Sequence, residues 1–185
     1  MGSWKGGSRY NRLGGVVILI VFLVAGLAFG QRTMRLASQA RSLPAARLYF
    51  LTTTGGVRAD KTVQVMIDPR GQPISFARVE VDFDPGRIKL VTEVEPATRL
   101  GTLIQKSPKW EANTTGRIII VQGLSPESMT RPPMSPFSLA SLKFAPVVKL
   151  AGVTRLTFAA SGEQIVDLQA NNLPYTSHFL NLQFE

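Results

Sequence analysis

Carboxylates two residues apart are the feature of this sequence best suited to chemistry. Asp82 and Asp84 form one such pair and Glu93 and Glu95 another, with Asp167 further along. Two acids flanking a bond can serve as general acid and as base or nucleophile, the arrangement used by most glycosidases. The spacing also has a plainer meaning. In a strand, residues i and i+2 share a face, so Glu80, Asp82 and Asp84 would line the solvated side of one amphipathic strand. The sequence has one histidine, His178, with no acid beside it, and no nucleophile elbow that would place a serine for a triad. No run of alternating Asp/Asn closes on a Glu as a calcium loop does. With no cysteine, neither a thiolate metal site nor a disulfide can form. Asn113-Thr114-Thr115 is a formal glycosylation triplet. No catalytic residue, metal ligand or cofactor is assigned, and the chain reads as non-enzymatic.

The elements that carry these acids are strands. From Thr62 to Pro85, two runs of apolar/polar alternation flank one connector. Val63, Val65 and Ile67 fall on one face, against Thr62, Gln64 and Met66. Ala77, Val79, Val81 and Phe83 then oppose Arg78, Glu80 and Asp82. A period of two marks strands with one buried face. The connector Asp68–Pro73 and the segment Asp84-Pro85-Gly86 are dense in turn formers. The pattern predicts strands over 47–53, 62–68, 74–84, 87–95, 101–112, 116–122, 138–146, 152–160 and 178–184, with a short one at 164–169. Turn signals recur between them at spacings typical of an antiparallel sandwich. The last strand is expected to pair near the first. Residues 125–137 hold four prolines and form either a rigid crossover between the sheets or a recognition edge.

The order of these segments resembles the cohesin family. A strand ending in Asp is followed by the connector Gly71-Gln-Pro-Ile74 and a long strand ending in Phe83-Asp84-Pro85. Then come Ile88-Lys-Leu-Val91, Gly116-Arg-Ile-Ile-Ile120, Leu139-Ala-Ser-Leu-Lys-Phe144 and Ala151-Gly-Val-Thr-Arg-Leu-Thr-Phe158. The likeness spans roughly Leu48 to Glu185. It implies a nine-stranded, jelly-roll β-sandwich over residues 47–185 that docks a protein partner. Cohesins bind dockerins, small calcium-loaded helical modules, through one sheet face. In the best-known type the long strand carries outward Asn and Asp for this contact. Phe76 and Arg78 occupy those positions here, with Glu80 next on the same face. Phe76 as anchor and Arg78 as charged contact would suit an apolar or anionic patch on a dockerin-like or cell-envelope protein.

A sugar-binding module is the alternative, since the resemblance extends to sandwiches that bind polysaccharide. Trp110 and Tyr175 are its candidate stacking rings, Trp110 being expected on a strand. A structural subunit of a surface assembly is a further reading.

Length and charge bound the rest. The 185 residues suit one domain with an appendage. Residues 13–30 are 18 without a charge, about 27 Å as a helix and close to the bilayer core. They are expected to be a single transmembrane signal anchor, with a basic tail at 1–12, a spacer at 31–46, and the C-terminal domain outside the cytoplasm. The competing expectation is secretion after cleavage near Ala28-Phe29-Gly30. Of the formal charge of +9, Lys5, Arg9 and Arg12 supply three, leaving +6 on the remainder. Those basic residues are scattered and not interleaved with aromatics, so no nucleic-acid groove is expected.

Overall fold

In the computed structural model, described over residues 44–53, 60–147, 152–159 and 161–184, the alternation becomes a two-layered core. Val63, Val65 and Ile67 lie on β2 (Lys61–Asp68), and Ala77, Val79 and Val81 on β3 (Ile74–Asp82). All six are fully buried. The two strands do not pair with each other. β2 lies between β1 (Ala46–Thr53) and β8 (Phe137–Pro146) in one sheet, while β3 lies beside β7 (Arg117–Leu124) in the other. A tight turn starts the passage between layers. Arg70 and Gly71 both take positive φ (54° and 84°), and Gln72 N–H donates to the Pro69 carbonyl at 3.1 Å, as in a type I′ turn.

The described residues form two sheets. The first runs β11 (Tyr175–Ser177), β1, β2, β8, with β4 (Ile88–Leu90) and β5 (Glu95–Pro96) both pairing with β8. The second runs β12 (Leu180–Phe184), β9 (Gly152–Phe158), β3, β7 and β6 (Gly101–Lys106). β10 (Gln164–Asp167) pairs with the first half of β3, and β9 with its end. Aromatic contacts tie the layers together. Phe50 of β1 stacks on Phe158 of β9 with centroids 4.2 Å apart, and Phe83 meets Phe144 edge-on at 5.3 Å. One buried amide does the same, as Gln122 Nε2 on β7 donates to the Leu139 carbonyl on β8 at 2.9 Å.

Twelve strands replace the expected nine among the described residues, for identifiable reasons. The strand expected over 87–95 stops at Leu90, where an amide side chain takes the place of a neighbouring strand. Asn113 Oδ1 accepts from Leu90 N–H at 2.7 Å, and its Nδ2 donates to the Leu90 carbonyl at 3.1 Å. The strand expected over 101–112 ends at Lys106, and Lys109–Thr115 form a helix, α1. Pro108 precedes it, Glu93 Oε2 accepts its first N–H (Lys109, 3.0 Å), and Gly116 ends it in the left-handed conformation at φ 72°, the usual glycine stop. Trp110 is therefore on a helix rather than a strand.

The last strand is also displaced from its expected place. β11 takes the free edge of β1, in parallel, so β12 pairs antiparallel with β9 in the opposite sheet. The proline-rich segment carries the chain from β7 to β8 and is a crossover. Its Met134 and Pro133 carbonyls accept from Gly71 and Ile74 N–H, each at 3.2 Å. Among the described residues no helix is long and apolar enough to cross a membrane. The anchor expected at 13–30 lies outside them, as do the tail and most of the spacer.

Replacing Asn113 by Ala removes both hydrogen bonds to the Leu90 backbone. Thermal unfolding should show a loss of about 1–3 kcal/mol, and the far-ultraviolet spectrum should keep its β character.

Candidate functional site

The outer face of the second sheet carries the residues singled out on β3, and register shows what surrounds them. Phe76 lies opposite Gly123, Arg78 opposite Val121, Glu80 opposite Ile119 and Asp82 opposite Arg117. Gly123 has no side chain, and Ile104 of β6 leans over it; a Cβ there would stand 3.2 Å from Ile104 Cδ1. Ile104 is 58% exposed. Phe76, Gly123 and Ile104 thus form an apolar band across three strands, while Val121, opposite Arg78, is buried.

The other half of the face is a ladder of charges. Glu80 is only 4% exposed. Its Oε1 accepts from Arg78 Nη2 at 2.6 Å, and its Oε2 lies 3.5 Å from Arg117 Nη1. Arg117 Nε in turn donates to Asp82 Oδ1 at 2.8 Å. Glu80 is buried because the segment after β9 passes over it. Gly162, at φ 105°, sits so close that a Cβ would strike the Glu80 carboxylate. Glu80 is therefore not on the solvated side of the strand, where its spacing with Asp82 and Asp84 had placed it. It is the internal counter-ion that aligns Arg78 and Arg117, and burial without such partners would be costly.

Beside this ladder is an open cleft of about 510 Å³, lined by Arg78, Glu163, Gln164, Asn172, Leu173 and Tyr175 among others. Glu163 Oε1 is sealed from solvent and accepts no hydrogen bond among the described residues. Burial pushes the Glu163 carboxyl above its ordinary range; the nearby Tyr175 hydroxyl opposes this, and the charges of Glu80 and Asp82 add to it. At the rim, Gln164 Nε2 donates to Asn172 Oδ1 at 2.8 Å.

The remaining acids are not brought together for catalysis. Asp84 Oδ1 accepts from Gly86 N–H at 2.9 Å, shaping a turn. Glu93 caps α1, and Glu95 lies on β5 against Ser141. Asp167, on β10, takes Gln169 and Asn171 N–H at 2.8 Å each. Asn171 also holds its carboxyl below the usual range. His178 lies 3.4 Å from Arg47 Nη2, a surface pairing without an acid. Among the described residues no group of three or more metal-type side chains converges. Trp110 is 71% exposed on α1, whereas Tyr175 lines the cleft from β11, so the two rings stand on different elements.

No family model and no curated protein matches the sequence. Solved structures do. CaCohA2 of Clostridium acetobutylicum, in complex with CaDoc0917, superposes with TM-score 0.62 at 19% identity over 76% of this chain and 100% of that one. The sixth cohesin of scaffoldin B from Acetivibrio cellulolyticus, in complex with a Cel5 dockerin, gives 0.61 at 12% over 76% and 99%. A non-cellulosomal cohesin from the archaeon Archaeoglobus fulgidus gives 0.58 at 11% over 76% and 91%. The fold is that of a cohesin.

Within this cohesin-like domain, sequence reasoning located Phe76 and Arg78 on the outer face but missed Arg117, Ile104 and Glu163. Gly123 was the available signal for Ile104, since a lone glycine inside a strand often marks a close approach. For Glu163, folded-state protonation is favoured over unfolded. Its contribution to stability is thus complete below the unfolded carboxyl value and is lost as pH rises through the folded one. Glu163→Gln should accordingly melt higher than the wild type at about pH 8 and at nearly the same temperature at about pH 4.

Proposed function

We propose that this chain is a non-catalytic docking module that holds a dockerin-type protein partner on the outer face of its second sheet. The observation carrying this reading is the apolar band of Phe76, Gly123 and Ile104 on a face with a rigid charge ladder beside it. The cohesin fold supports the partner class, because solved neighbours of this fold are held in complexes with dockerins. The departure from the best-known type sets the chemistry. Arg78 is already matched by Glu80 at 2.6 Å, which weakens the case for an anionic contact and leaves the apolar one. A helix presenting apolar side chains at i and i+3 or i+4 suits such a band.

The uncharged run at 13–30 supports a tether in the membrane, with the domain displayed outside the cytoplasm. Non-enzymatic docking fits the separate structural duties of the acids. Polysaccharide binding has in its favour two well-exposed rings among the described residues, Trp110 on α1 and Phe179, the latter already under Arg155, and is not carried further.

Titration calorimetry against a panel of calcium-loaded dockerin modules tests the reading. Binding by at least one module, weakened roughly 30-fold or more by Phe76→Glu or Ile104→Asp, is expected for residues at the centre of an interface. No binding across the panel, or equal affinity for both variants, would contradict it.

A further inference from the structure

The five charged groups that meet around the cleft do not balance. Arg78 and Arg117 are matched by Glu80 and Asp82 through contacts of 2.6, 3.5 and 2.8 Å. Glu163 is the third anion, and among the described residues no basic group pairs with it. It is also partly withdrawn from water: one oxygen is sealed and without a partner, and the carboxyl has the neutral Tyr175 hydroxyl rather than a cation as its hydrogen-bonding neighbour. Burying an unmatched carboxylate is unfavourable, and a cation brought to it recovers that cost while strengthening the attraction in a poorly solvated site.

The rest of the lining narrows what kind of cation. Ile165 and Leu173 are buried and apolar and can pack along a methylene stem. Tyr175 lines the cleft with its hydroxyl toward Glu163, and the Gln164–Asn172 pair at 2.8 Å closes the rim. Long basic side chains combine such a stem with a charged head. A planar guanidinium is less well matched, because Glu163 presents one carboxylate whose sealed oxygen is closed to a fork of two donors.

We propose that this cleft is a subsite for a lysine side chain of the docked protein, its ammonium meeting Glu163 and its stem lying against Leu173 and Tyr175. This rests on the docking reading for the identity of the partner, but not for the chemistry of the cleft. It adds a charge requirement to an otherwise apolar contact, and places it at one side of the band, where Arg78 borders both.

The test uses a small probe and the intact chain. Nα-acetyl-lysine N-methylamide is titrated into the labelled protein near neutral pH, with backbone amide shifts as the readout, alongside the uncharged norleucine analogue. Shifts confined to residues 162–164 and 172–175 are expected with the lysine compound and not with norleucine. Glu163→Gln should weaken the interaction roughly tenfold or more, as expected for a charge-assisted contact. Lowering the pH should weaken it in the wild type as Glu163 takes a proton; Arg78, Glu80 and Asp82 on β3, Arg117 on β7 and Tyr175 on β11 are the ionisable groups facing it. Equal shifts from norleucine, no response to lysine, or undiminished binding by Glu163→Gln would each overturn the subsite. A chain that takes the lysine probe but no dockerin would sink the docking reading alone. One that binds a dockerin but ignores the probe would sink the subsite alone.

Discussion

Alternation along β3 is the constraint on which the other features depend. Its inward residues, Ala77, Val79 and Val81, are fully buried between the layers. Its outward residues, Phe76, Arg78, Glu80 and Asp82, define the outer face of the second sheet. A one-residue slip would exchange the two sets, putting four residues with three charges into the core. Three neighbours resist such a slip, since β7 holds one edge of β3 while β10 and β9 share the other. The extra residue at Ser75 absorbs the one irregularity. Asp167 pairs with Ile74 and Val166 with Phe76, so Ile74 and Ala77 can both turn inward.

Burial of Glu80 follows from the same geometry. An outward carboxylate at the middle of a sheet would ordinarily be hydrated. Here the segment around Gly162 covers it, and two arginines replace the lost water. Such an arrangement contributes less to net stability than to uniqueness, because a hydrophobic substitute could serve as well energetically. Its effect on the face is mechanical. Arg78 and Arg117 are long, flexible side chains that would otherwise have to be ordered on binding, at a cost in entropy. Pinned by Glu80 and Asp82, they form a fixed border to the apolar band.

Much of the fold was legible because the signal was local. The period of two from Thr62 to Phe83 stated which residues face the core, and the turn formers stated where strands end. The failures share a physical cause, which is that a distant group decided the outcome. Nothing near Leu90 announces that Asn113 will take its backbone groups. Nothing in Lys109–Thr115 by itself overrides the β-branched threonines; the flanking Pro108, Gly116 and the carboxylate of Glu93 do so. The place of β12 depended on an edge already filled by β11. For the site, alternation placed Phe76 and Arg78 outward. It could not show that a loop arriving from residue 162 would bury Glu80, or that Glu163 would stand beside it.

The central claim is that partner contact falls on the outer face of the second sheet. Hydrogen–deuterium exchange of the chain with and without a bound dockerin module measures this directly. Slowed exchange in Ile74–Asp82, Gly101–Lys106 and Arg117–Leu124, with β1, β2 and β8 unchanged, is the predicted result. Protection confined to the first sheet or to α1 would contradict the account.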